Sequence, residues 1–354
     1  VNISWFESEL KNHAYTWLVT GAAGFIGSHL VQRLLTLRQI VIGCDNFSTG
    51  TQANLKEVQE AVGAQTWENF TLVEVDIRDA AACLEISQNV DFILHQAALG
   101  SVSLSLYDPK LTHEVNVNGF MNIIQAARIN KVRRFVYASS CAIYGDSQDL
   151  PLAENTVPRP LSPYAASKAC NEMYAQAFSR SFPFSSVGLR YFNVYGARQS
   201  PDGAYAAVIP KWIHAMLKGE IVEINGDGAN TRDFIHVGTV VDSNISAALL
   251  PEYLEGEVLN VASGYSISLN DLFNLLKSNL RRRVAHPIGA PLHGAPRPGD
   301  IKHSGARIDY ACKKLRIEPV DIATGIEQTL AWYGEDMQIS SSRTSNRGQE
   351  LFDV

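Results

Sequence analysis

No stretch of this chain approaches the ~18 consecutive apolar residues of a membrane-spanning helix, so no membrane contact is expected. Basic tracts are scarce too. The longest run of Lys or Arg, Arg281-Arg282-Arg283, ends a helical pattern, where cations complement the helix dipole. With a net charge of −6, nucleic acid is not an expected partner. There are only five cysteines (Cys44, Cys83, Cys141, Cys170, Cys312), an odd number with no two at metal-ligand spacing. That excludes a disulfide frame or zinc site and points to a reducing compartment. His95, His236 and His303 stand singly and read as structural, so no metal is expected. Val1 to Tyr15 lacks the charged-then-apolar order of a secretory signal, and the cytoplasm is expected. Trp5, Phe6 and Leu10 suggest a short helix packed on the domain instead.

The 354 residues are 46% hydrophobic and 19% charged, enough for two domains with a sizeable core. Short apolar runs at Trp17–Thr20, Ile40–Cys44, Leu72–Val75, Phe92–His95, Arg134–Ala138 and Ser186–Leu189 read as strands, several apolar on consecutive positions as doubly buried parallel strands are. Helical patterns lie between them. His29–Leu37 is one. Asp108-Pro109 caps another that runs to about Asn130, and Ser162-Pro163 a third that runs to about Arg180. This alternation predicts an α/β fold with a doubly wound parallel sheet. After about Tyr191 the rhythm breaks into loops rich in Gly and Pro. A strand-like run, Val258–Val261, returns, and Ser268–Asp271 forms a capping box. The expected division is a dinucleotide-binding domain over 1–190 plus about 236–262, a smaller substrate domain over 191–235 and 263–338, and a mobile tail over 339–354.

Gly21-Ala22-Ala23-Gly24-Phe25-Ile26-Gly27 follows a strand and opens a helix. Glycines so placed permit a tight turn against a pyrophosphate, which the helix N-terminus then attracts. Asp45 ends the second strand 18 residues later, where a carboxylate takes ribose hydroxyls and repels a 2′-phosphate. NAD is therefore expected, not NADP. Asp76-Ile77 and Gln96-Ala97-Ala98 end the third and fourth strands, at the same edge.

Tyr164-Ala165-Ala166-Ser167-Lys168 starts a helix, and its i, i+4 spacing puts Tyr164 and Lys168 on one face. An ammonium neighbour favours the phenolate, making Tyr164 a candidate general acid and base. Ser140, after Ser139 at the end of the preceding strand, is placed to hydrogen-bond a reacting hydroxyl.

These motifs resemble the extended short-chain dehydrogenase/reductase family over nearly the whole chain, and within it the nucleotide-sugar 4-epimerases. The likeness extends through Ile93–Val102, Leu189–Gly196, Gly203–Pro210, Ile224–Gly228 and Arg232-Asp233-Phe234, and is greatest to the subgroup acting on UDP-N-acetylhexosamines and their uronic acids. The resemblance implies a Rossmann-type sheet with a smaller α/β substrate-binding domain. It implies further cofactor contacts from Asn46, Ser48, Thr49, Gly50, Asn116, Ser139 and Tyr191. Gly100, Ser101, Cys141, Ala142, Ala207, Val208 and Asn225 would face the substrate. Asn193 and Arg232 would hold the diphosphate, and Arg297 and Asp300 the second phosphate and the uridine ribose. It also implies a homodimer through the two long helices. Met121, Ile124, Met173 and Ala177 suit that face, and equally suit the core.

The residues after Ser140 bear on the reaction. The dehydratases and decarboxylases that look like this carry carboxylates there, whereas Cys141, Ala142 and Ile143 are not acids. One proton-transfer group suits removal and return of a single hydride: C4 epimerisation with NAD recycled. Small Ser304 occupies a point that acts as a gate beside the sugar 2-substituent in the resembling family, so an N-acetyl group is expected to be accepted. Cys141-Ala142 and Ser103-Leu104 depart from that family's more hydroxyl-rich stretch and its Pro-Arg, and favour an uncharged amino sugar over a uronic acid. The alternatives are a UDP-glucuronate or UDP-N-acetylglucosaminuronate 4-epimerase, an NAD(P)-dependent nucleotide-sugar reductase, and a non-catalytic NAD sensor.

Overall fold

The computed structural model describes residues 5–201, 206–296 and 301–333. Arg297, Asp300 and the 339–354 tail lie outside them. Six strands and their crossovers build the first half of the fold: β1 (Thr16–Thr20), β2 (Ile40–Asp45), β3 (Phe70–Glu74), β4 (Phe92–His95), β5 (Arg134–Ser140) and β6 (Ser186–Tyr191). There follow β7 (Asn193–Tyr195), β8 (Glu223–Asn225), β9 (Thr231–His236), β10 (Glu255–Val261), β11 (Ser266–Ser268) and β12 (Leu292–Gly294). Seven strands form one sheet in the order β10-β6-β5-β4-β1-β2-β3, every pair parallel. The order reverses at β1, and a crevice opens at its C-terminal end, beside β4.

Successive side chains explain why these runs are strands. On β1, Trp17 and Val19 enter one core with Leu30, Leu34 and Ile245, while Leu18 enters the opposite core with Ile93, Phe135 and Tyr137. Both faces are covered, and every residue of β4 and β6 is buried. The edge strand β3 departs from the expected Leu72–Val75. It starts at Phe70, paired with Val41, and none of its residues is fully buried. Its hydrogen bonds to β2, not its apolar run, set its limits.

The expected helix from Asp108 to about Asn130 is interrupted. Asp108 caps Pro109–His113 by accepting the Leu111 N–H, but Glu114–Gly119 is a π-helical turn before Phe120–Ile129. Ser101 caps a short helix at Val102–Tyr107 that the sequence reading did not anticipate. Ser162 caps the 19-residue helix Pro163–Ser181 through the Ala165 N–H. The helix Val237–Leu249 and β10 return to the large sheet. A separate core gathers Trp212, Ile213, Phe273, Leu276, Ile326 and Leu330 beside the sheets β11-β9-β7 and β12-β8.

The N-terminal helix Trp5–Asn12 buries Phe6 and Leu10 on the sheet's flank, and the Trp5 indole donates to the Leu315 carbonyl. All five cysteines are free. Ile124 lies in the core, whereas Met173 and Ala177 are exposed. Among the described residues, no helix is long and apolar enough to cross a membrane, and no group of three or more His, Cys, Asp or Glu converges.

Candidate active site

The glycine turn opens the crevice. Gly21 has φ +68°, and its N–H donates to the Cys44 carbonyl at 2.7 Å. A Cβ on Gly27 would lie 1.9 Å from the Gly21 carbonyl oxygen, so the helix Phe25–Thr36 can start against the turn only from glycine. No side chain caps that helix, and its first residues, Phe25 to Gly27, line the cavity.

One cavity runs from this turn to the start of the helix Pro163–Ser181. It is lined by Gly21, Gly24, Phe25, Ile26, Gly27, Asp45, Asn46, Ser48 and Thr49, by Asp76, Ile77, Gln96, Ala97 and Ala98, and by Gly100, Ser139, Ser140, Tyr164, Lys168 and Tyr191. Asp45 accepts the Ala23 N–H at 2.9 Å and the Phe47 N–H at 2.8 Å, which fixes its carboxylate at the strand end. Arg78 donates twice to Asp76, at 3.0 and 2.7 Å, and Asn46 donates to it at 2.9 Å. These bonds, Arg78 foremost, hold the Asp76 carboxyl down to about 2. Because Arg78 is committed to Asp76, it is a poor partner for a 2′-phosphate. The turn, the uncapped helix and the fixed Asp45 fit a dinucleotide. Gly50 lines nothing here; it packs behind Asp45, whose Oδ2 a Cβ would approach to 2.8 Å.

Asn116 is also outside the cavity. It accepts the Leu99 N–H at 2.8 Å and donates to the Leu99 carbonyl at 3.0 Å and to Ser167 at 3.1 Å. The π-helical turn places it there, and it ties the cavity-lining loop after β4 to the Tyr164 helix.

At the far end, Ser140 hydrogen-bonds Tyr164, and Lys168 donates to the Ala138 carbonyl at 2.9 Å. The Lys168 ammonium lies 6.0 Å from the Tyr164 ring centre. The expectation that Lys168 lowers the Tyr164 pKa needs correction. Burial dominates and raises it, with the Ser140 bond opposing. Burial pushes Lys168 itself down to about 8. Cys141, pushed up to about 12 by burial, is a neutral thiol. Among the described lining residues the only carboxylates are Asp45 and Asp76, both at the opposite end from Tyr164.

The sequence model of the NAD dependent epimerase/dehydratase family matches residues 17–262. The chain belongs to that family. It is 36% identical over 318 residues to a putative UDP-glucose 4-epimerase of Methanocaldococcus jannaschii, covering 89% of this chain and 97% of the other. It is 34% identical to the UDP-glucose 4-epimerase of Mycolicibacterium smegmatis, covering 91% and 99%. Among solved structures it resembles the UDP-N-acetylglucosamine 4-epimerase of Methanobrevibacter ruminantium in complex with UDP-N-acetylmuramic acid, at 35% identity and a TM-score of 0.83, covering 91% and 99%.

The substrate positions of this epimerase-family chain are less concentrated. Gly100, Ser140 and Tyr164 line the cavity. Ser101, Cys141, Ala142, Asn193, Ala207, Val208, Asn225, Arg232 and Ser304 lie outside its described lining. Several of them gather around β9. Asn193 donates to the Asp233 carbonyl at 2.8 Å, and the Ser304 N–H to the Thr231 carbonyl at 3.2 Å. Arg232 donates to the Thr231 carbonyl at 2.8 Å, and its charge reaches Cys141. Ser101 is engaged as a helix cap. Ala207 and Val208 begin the helix Val208–Lys218, and Asn225 ends β8, both on the side of the separate core. Asp233, beside Arg232 in β9, is not a surface residue. It is fully buried and accepts from the Ser263 N–H and hydroxyl and from the Gly264 N–H.

Three polar residues went unnoticed in the sequence: Asn244 behind Tyr191, and the pair Glu172 and Arg190. The Tyr191 hydroxyl donates to Gln96 at 3.1 Å and accepts from the Asn244 amide at 2.8 Å, pinning the cavity floor. Glu172 and Arg190 form a buried pair behind Ser139. A charge in the otherwise apolar run of β6, and a carboxylate one helical turn beyond Lys168, were the available signals.

Proposed function

We propose that this chain interconverts UDP-N-acetylglucosamine and UDP-N-acetylgalactosamine, and also the corresponding plain UDP-hexoses, by inversion at C4. One observation carries the choice of reaction. Among the described lining residues, the wall around Tyr164 holds no carboxylate. Elimination needs an additional acid and base, whereas epimerisation needs one group that takes and returns one proton.

Gly21, Gly24 and the start of the helix Phe25–Thr36 would hold the NAD pyrophosphate, and Asp45 a ribose. Bound NAD supplies the hydride acceptor and donor. Tyr164 takes the proton of the sugar 4-hydroxyl and gives it back after the 4-keto sugar turns over. Ser140 holds that hydroxyl and the phenol together. Burial raises the Tyr164 pKa and the Ser140 hydrogen bond opposes it, so the positive charge of an oxidised nicotinamide is what would favour its ionisation. Ser304, small and next to the β9 cluster, supports room for a 2-acetamido group.

The test incubates the purified protein with UDP-GlcNAc, UDP-glucose and their uronic forms, with no NAD added. Epimers of the first two should form. Tyr164→Phe should cut turnover by about 10²- to 10⁴-fold while NAD stays bound. Turnover that demands exchangeable NADH would sink the reading in favour of a reductase, and preference for the uronic forms would reassign the sugar.

A further inference from the structure

Behind the reactive face of the cavity lies a chain of buried polar groups that bind neither end of a substrate. Glu172 is one turn beyond Lys168 on the same helix. Lys168 donates to the Ala138 carbonyl, and Glu172 accepts the Ser139 hydroxyl at 2.5 Å, so both grip the end of β5 just before Ser140. Arg190, paired with Ser139 in the register of β5 and β6, meets Glu172 with two bonds, at 2.9 and 2.7 Å.

The remaining donors of Arg190 point the other way. One nitrogen donates to the Tyr144 hydroxyl and to the Glu154 carbonyl, both at 2.8 Å. Tyr144 donates to Asn260 on β10 at 2.7 Å. Asn260 donates to the Leu152 carbonyl at 3.0 Å. Leu152 in turn is bridged to the chain just past Ser304: its N–H donates to the Gly305 carbonyl, and its carbonyl accepts the Arg307 N–H, each at 2.8 Å. Glu172, Arg190, Tyr144 and Asn260 are all buried.

We infer that the Glu172–Arg190 pair is a positioning element, which holds Ser140 and Tyr164 in register with the Ser304 segment on the sugar side. A folding core could do without it, because a buried ion pair generally yields to apolar residues of similar volume with little loss of stability. What such residues cannot do is fix directions. The guanidinium fork sets Ser139 from one side and Tyr144 from the other, and so sets the distance between two walls that the chain builds from segments more than 100 residues apart.

This inference rests on the epimerase reading, and the experiment separates the two. Compare the full chain, Glu172→Gln, and Glu172→Met combined with Arg190→Met. Epimerisation is followed as kcat and KM, and amide hydrogen exchange by mass spectrometry. Glu172→Gln should lower kcat about 100-fold, the cost of misplacing reacting atoms by about 1 Å, with KM close to the original. Amides in 139–144 and in 304–307 should both exchange faster. The double variant should melt near the parent temperature yet keep the low kcat. Recovery of kcat along with stability would overturn the inference, as would faster exchange confined to the helix 163–181. If the parent chain epimerises no UDP-sugar, the epimerase reading fails, and the exchange pattern alone still decides whether the pair couples the two walls.

Discussion

The two ends of the cleft are made of different material. At the dinucleotide end the surfaces are strand ends and one helix start: Gly21 after β1, Asp45 closing β2, Asp76 after β3, Gln96 after β4. Each is bound to its strand's position in the sheet, and much of the contact is main chain. At the end where we propose the sugar binds, the turn after β5, β9 and the chain near Ser304 are joined through side chains such as Asn193 and Arg190. The first end is held by the parallel pairing of the strands that carry it. The second keeps its shape only while specific side chains hold it. This is why one cofactor architecture serves many substrates: the sugar wall can change without disturbing the sheet.

A methyl group should expose the contrast most sharply. Gly27→Ala drives a Cβ into the Gly21 carbonyl, and dinucleotide affinity should weaken by at least about 3 kcal/mol, roughly 100-fold, in a calorimetric titration. Gly100→Ala, with nothing within 4 Å of its Cβ, should leave that affinity unchanged. Equal losses in both variants would erase the distinction between the two ends.

The sugar end should yield instead to a change of shape. Ser304→Tyr should cost about 10-fold in kcat/KM with UDP-GlcNAc and spare UDP-glucose. Equal loss with both sugars would remove Ser304 from the specificity wall.

Acid should then affect both ends alike. Burial pushes His95, at the end of β4, down to about 3, and His236, at the end of β9, down to about 4. An unfolded histidine titrates near ~6.5, so below that pH the unfolded chain binds protons that the folded chain refuses. Stability is therefore intact above pH ~6.5 and falls as pH drops towards these lowered values. Each histidine adds a slope of about 1 kcal/mol per pH unit. Melting temperatures at pH 7, 6 and 5 should show this, and His95→Asn should flatten the curve. An unchanged slope would mean that His95 accepts a proton while folded.

Much of the cavity was legible because its signals are local. The glycine spacing, Asp45 at a strand end and the Tyr164–Lys168 spacing each act within one strand-turn-helix unit, and the structure sets them along one cavity. The strands were legible because burial on both faces demands continuous apolar runs, and β3 was misplaced where no residue is fully buried. Asn116 was read as a contact to the cofactor region, but a π-helical turn, invisible in apolar periodicity, makes it a clamp between Leu99 and Ser167. The role of Lys168 was misjudged because its effect on Tyr164 depends on burial, which no spacing reports.

The sequence by itself determined the parallel sheet, the dinucleotide turn and the pairing of Tyr164 with Lys168, since periodicity and short-range spacing are encoded residue by residue. Only the tertiary structure decided what stands behind and across from them. It set Glu172 against Arg190, left no carboxylate among the described residues lining the cavity beside Tyr164, and brought Leu152 beside the chain past Ser304. Those relations join residues far apart in the chain, and their energy exists only once the chain has folded and excluded water from between them.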